Sequence, residues 1–248
     1  MALRPADPAR YAVTMHDRWT LVRSDLAGAR LLGRLLWGLS YQRRPDTLLV
    51  LDPGRMVADP DDGRPSPPVV FGVAARTVLA PSAAQGLSRP GLWRSRPAGT
   101  VTWNTAGFPT GMAALHAWQD DRRAGLPIPD RYIPTYPAAT IHASPAVVTV
   151  LAVPELLRRW ATLIGDAGDY WHHDESCTEP DWQTGFDVHA VRHFLRRVSV
   201  ARRARAEVLT SPDCPTDPTL IDERVRTDVD AVAARRPGPW DPAPTITP

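Results

Sequence analysis

Residues 146–165 read Ala-Val-Val-Thr-Val-Leu-Ala-Val-Pro-Glu-Leu-Leu-Arg-Arg-Trp-Ala-Thr-Leu-Ile-Gly. Their first half is a continuous aliphatic run rich in valine, which predicts a buried strand over Val147–Val153. Pro154 fixes φ where a first helical turn needs it and stops the strand, so a helix is expected to open there. Leu157, Trp160, Ala161 and Ile164 recur at helical spacing as its buried stripe, and Gly165 is the expected end. A strand leading directly into an amphipathic helix is the unit of a layered α/β protein.

Working outward, proline sets the frame, because it is excluded from helix interiors. The chain has 248 residues and 27 prolines, about twice the usual share of roughly 5%. Long helices are therefore confined to the proline-free windows 9–44, 110–126, 155–179, 181–211 and 219–236. In the first, Ser24 or Asp25 is placed to cap a helix whose stripe is Leu32, Leu35, Leu36 and Leu39. Strands are predicted at Thr47–Leu51, Val69–Val73, Gly99–Trp103 and Val147–Val153, with a weaker run at Ala139–His142. Residues 53–68 read as a turn-rich loop. The expected fold is α/β or α+β, a four- to five-stranded sheet covered by helices with an appended C-terminal helical part. Three blocks follow: an α/β core over 1–165, an acidic His/Cys segment with a basic amphipathic helix over 166–210, and a proline-rich tail over 211–248. In the tail, Thr219 and Asp222 are read as a capping box, and Ile221, Val225, Val229 and Val232 as the stripe.

Every one of the 29 cationic side chains is arginine, and that excludes chemistry. Without lysine there is no Walker A loop, no kinase strand lysine, no Ser-x-x-Lys pair and no imine-forming amine. The N-terminus has no apolar signal-peptide core, and no apolar run approaches the roughly 20 residues that span a bilayer. With two cysteines, Cys177 and Cys214, too few for a disulfide scaffold, a reduced cytoplasmic protein without a membrane partner is expected.

Charge is segregated between 160 and 205. Seven acids and no arginine lie from Trp160 to Val191, and then Arg192, Arg196, Arg197, Arg202, Arg203 and Arg205 follow within fourteen residues. A helix over 186–209 would put Val191, Leu195, Val198, Ala201 and Val208 on its apolar side. Arg192, Arg196 and Arg203 would then share the opposite face with His189 and His193. Such a basic helix, spanning 188–205, suits an acidic partner, either nucleic acid or protein. The alternative is a metal-dependent hydrolase. His173-x3-Cys177-x11-His189-x3-His193 has the ligand types and spacing of a tetrahedral zinc site and resembles a zinc finger in outline, with one cysteine replaced and no hairpin evident. Three arginines on the same helix face would oppose a bound cation, which counts against that site. The plainest account has the acids pairing with the basic helix inside the molecule. A further possibility is an oligomer or larger assembly that docks through the tail.

Two weaker candidates complete the set. The loop Asn104–Gly111 leads into a helix N-terminus with His116 two turns on, where backbone N–H groups could meet an anion. Asp52 ends a predicted strand, a position that suits a general base or metal ligand, although Asp-Pro-Gly is also an ordinary turn.

Overall fold

The computed structural model describes residues 2–3, 9–16, 19–87, 99, 101–126, 139–167, 175–177 and 185–235. In chain order the elements are β1 (Ala2–Leu3), β2 (Tyr11–His16), β3 (Trp19–Ser24), α1 (Leu26–Ser40), β4 (Leu48–Leu51), β5 (Val69–Val73), a 3₁₀ turn (Ala74–Arg76), α2 (Pro81–Gly86), α3 (Phe108–Arg123), β6 (Ala139–Ala143), β7 (Val148–Ala152), α4 (Pro154–Asp166), β8 (Glu175–Cys177), β9 (Phe186–Val191), α5 (Phe194–Thr210) and α6 (Pro218–Ala234). They form two compact units. The first comprises Met1–Val57 and Ser66–His193; the second comprises Ala58–Pro65 and Phe194–Pro248.

The first unit is a mixed α/β fold with two sheets. One has five strands in the order β1-β4-β5-β7-β6, with β5 parallel to β7 and antiparallel to β4. The all-apolar β5 is buried along its whole length, as a strand covered on both faces must be. The other sheet has four strands, β2-β3-β9-β8. There β2 and β3 form an antiparallel pair, β3 runs parallel to β9, and β9 pairs antiparallel with β8.

One apolar core serves both sheets and the two long helices. It includes Val13 and Val22 from the second sheet, Leu49 and Phe71 from the first, Leu32 and Leu36 from α1, and Leu157 and Ile164 from α4. Phe71 meets Phe186 of β9 edge-on at 5.9 Å, and the Trp160 ring lies 4.8 Å from Phe186 on another side. Helices α1 and α4 approach closely at Gly33, where a Cβ would lie 2.8 Å from the Ala161 carbonyl oxygen. Asp25 is the N-cap of α1 and accepts a hydrogen bond from the Gly28 amide at 2.7 Å.

In the second unit, α5 buries Phe194, Val198, Ala201, Ala204 and Val208. Ala204 and Val208 form a small core with Val225 and Val232 of α6. The loop Ala58–Pro65 lies against α5 at Gly63, whose φ of +69° and predicted Cβ position 2.5 Å from the Ala201 carbonyl oxygen admit only glycine.

Several sequence expectations are corrected. The window 9–44 holds two strands ahead of its helix, Tyr11–His16 and Trp19–Ser24, which pair with each other in antiparallel register. Residues 101–105 carry no regular structure, so the strand expected at Gly99–Trp103 is not formed among the described residues. The helix expected from 186 begins at Phe194, since Phe186–Val191 is claimed as a strand by β3 and β8. Its apolar stripe shifts accordingly, leaving Leu195 half exposed. Helix α4 runs one residue past Gly165. Asp217, not Thr219, caps α6 by accepting from the Thr219 amide at 2.8 Å, and Asp222 lies buried inside the helix. The two compact units divide after His193, with residues 58–65 belonging to the C-terminal unit.

Candidate functional site

Most arginines of the second unit are neutralised within it. Asp222, 2% exposed, takes Arg205 at 2.8 Å and also Arg64. Arg205 donates in addition to the Asp62 carbonyl oxygen at 3.1 Å. Arg226 meets Asp62 at 3.5 Å and Arg197 meets Asp61 at 3.6 Å. Glu207 accepts from Arg203 at 3.0 Å and from Arg235 at 2.9 Å. The Arg203 hydrogen bond, opposed by burial and reinforced by the charge of Arg235, holds the Glu207 carboxyl below its ordinary range.

Among the described residues, the acids that pair with this helix come from the 58–65 loop and from the helices. Helical spacing places Leu195, Arg196, Ser199, Arg202, Arg203, Ala206 and Leu209 on the side of α5 away from its buried stripe. On this face Arg196 and Arg202 make no ion pair among the described residues. Of the three arginines singled out in the sequence, Arg196 and Arg203 share the face. Arg192 does not, because it sits in the turn between β9 and α5. Arg202, which the misplaced helix start had put aside, takes its place.

The proposed metal ligands are distributed differently from a helix-borne pair. His189 lies on β9, with its Nε2 3.0 Å from Oδ2 of Asp187, whose carboxylate is buried. Because Phe186, Val188 and Ala190 point into the core, strand alternation puts Asp187 and His189 on the opposite face. In the ladder, His189 stands opposite Cys177 of β8 and beside the buried Arg23 of β3. A carboxylate that holds a histidine ring in this way fixes its orientation. His193 follows after the strand, in a left-handed conformation with φ of 54°. His173 lies outside the described residues, and among the described residues no cluster of three metal-ligating side chains forms.

A second histidine–carboxylate pair, not anticipated as such, joins α3 to α4. His116 Nε2 lies 2.7 Å from Oδ1 of Asp166, and Gln119 donates to Oδ2 at 2.9 Å. Asp166 is buried at the C-terminal end of α4, where the helix dipole opposes a negative charge, so both partners compensate it. The two helices close on glycine: Phe108 and Met112 of α3 occupy the space beside Gly165. The sequence held the signal, since one turn of helix puts His116 and Gln119 on one side, but not the identity of the acid they meet.

The Asn104–Gly111 loop is a turn, with Asn104 accepting from the Ala106 amide at 2.8 Å and Gly107 in a left-handed conformation ahead of α3. Asp52 is also used locally, accepting from the Gly54 amide at 2.8 Å as Asp-Pro-Gly turns do. Its carboxylate thus serves the turn. No helix among the described residues is long and apolar enough to cross a membrane. No family model, curated protein or solved structure matches the chain.

Proposed function

We propose that the protein acts by binding, and that the outward face of α5 contacts an anionic partner. The observation that carries this reading is selective neutralisation. Arg64, Arg197, Arg205, Arg226 and Arg235 each meet a carboxylate of their own unit, while Arg196 and Arg202 on the outward face meet none among the described residues. Unpaired guanidinium groups on a helix orient carboxylates or phosphates bidentately. Retention on an immobilised polyanion such as heparin tests it. The Arg196→Ala/Arg202→Ala/Arg203→Ala variant is expected to elute at markedly lower salt and to bind at least tenfold more weakly at low salt. Its salt dependence should be shallower by about two to three units of log K per log salt. Identical elution of variant and wild type would remove α5 as the contact surface.

A second reading is favoured by the β8–β9 ladder. Cys177 opposite His189, with the His189 ring braced by Asp187, supports a metal site that His173 and His193 would complete, and a bound zinc there would activate water for hydrolysis. Setting His189 on a strand takes it off the arginine face of α5, although the ladder sets the buried Arg23 beside it. Protein purified without an affinity tag is expected to carry close to one transition metal per chain, and the His189→Ala variant none. Metal-free wild-type protein would end the hydrolase reading.

A further inference from the structure

We infer that the anionic partner of α5 is α6 of a second copy of this chain. The inference rests on the reading of α5 as a contact surface and names what sits on it. Helix α6 buries Asp222, Val225 and Val232, so the residues at helical spacing on its other side face outward. These include Leu220, Glu223, Thr227, Asp230 and Ala234, all exposed. Glu223 and Asp230 make no ion pair among the described residues, whereas Asp228 pairs with Arg224. One helix thus presents two unmatched cations and the next presents two unmatched carboxylates.

Along the axes the two pairs are comparably spaced, about 9 Å for Arg196 and Arg202 on α5 and about 10.5 Å for Glu223 and Asp230 on α6 at about 1.5 Å per residue; around the axes the carboxylates lie in one row, while the arginines, about 120° apart, flank the face between them. Between the arginines lies Ser199 and beyond them Ala206, small residues that let another helix come close. The half-exposed Leu195, Leu209 and Leu220 supply apolar area at the ends of the two faces. Within one chain these faces cannot meet, because each lies on the side of its helix away from the shared Ala204–Val208–Val225–Val232 core. The contact is therefore heterologous, α5 of one copy on α6 of the next, a geometry that closes into a ring or continues as a chain of subunits. Two helix faces bury less than a standard interface, so the association is concentration-dependent and salt-sensitive.

Light scattering or sedimentation of the full chain, across a range of concentration at low and high salt, tests the inference. The mass of the wild type is expected to rise above one chain with concentration at low salt and to return to one chain at high salt. Arg196→Glu/Arg202→Glu and Glu223→Arg/Asp230→Arg are each expected to stay at one chain. An equimolar mixture of the two should associate again, because each then offers a face complementary to the other. That recovery also shows both variants to be folded. A wild type that stays monomeric throughout overturns the inference, as does association that neither charge reversal weakens. In the monomeric case the heparin measurement separates the two claims: retention lost in the α5 variant keeps α5 as a surface for another anion, and no retention removes both.

Discussion

Phe71→Ala is expected to destabilise the first unit by about 3–5 kcal/mol, the range for deleting a fully buried aromatic. Phe71 is 0% exposed and stands on β5, the middle strand of the five-stranded sheet. Its ring touches Phe186 of the four-stranded sheet, so the vacated space would lie between the two sheets, where neither backbone can close over it. Urea unfolding followed by tryptophan fluorescence is the check, with the midpoint falling and the slope unchanged. A loss below about 1 kcal/mol would mean that the sheets do not share a close-packed core.

In the second unit the largest loss is expected at Asp222. Asp222→Ala removes the carboxylate that Arg64 and Arg205 share and leaves the mostly buried Arg205 without its acid, at a cost of about 3 kcal/mol. Asp222→Leu, which restores volume but not charge, should recover little, because the stranded guanidinium is the source of the penalty. Amide hydrogen exchange reads the effect locally: protection in α5 and α6 should drop, with that of β5 and β7 as the internal reference. Unchanged protection in α5 would show the ion cluster to be peripheral to the stability of this unit.

The parts of the fold legible in the sequence were those written in a single period. Val148–Ala152 followed by Pro154–Asp166, the leucine stripe of α1 and the valine stripe of α6 stand where the sequence puts them. The second sheet was hidden by its composition. Tyr11–His16 and Trp19–Ser24 mix aromatic, polar and basic residues, and become strands only when paired with each other and with Phe186–Val191. The last segment looks helical because its apolar positions run on into α5. Only a partner strand distant in sequence decides otherwise. The same displacement moved His189 off the arginine face and Arg202 onto it. Ion pairing was legible as a tendency of the charge runs but not in its partners. Asp61, Asp62 and Asp222 reach the basic helix from a loop and a helix that chain order keeps apart.

The parallel pairing of β3 with β9 also bears on how the protein is made. Residues Thr20–Ser24 take as their neighbours Phe186–Ala190, so the strand that completes the second sheet leaves the ribosome long after the β2–β3 hairpin has emerged. At roughly 5–20 residues per second the hairpin waits on the order of ten seconds with one edge open and its core-facing side uncovered. Translation arrested between β7 and β9 would leave a nascent chain with Val13, Val22 and Phe71 exposed. Holdase chaperones should therefore engage the chain in that interval, and folding should be completed only after the region of the α5 start has been synthesised.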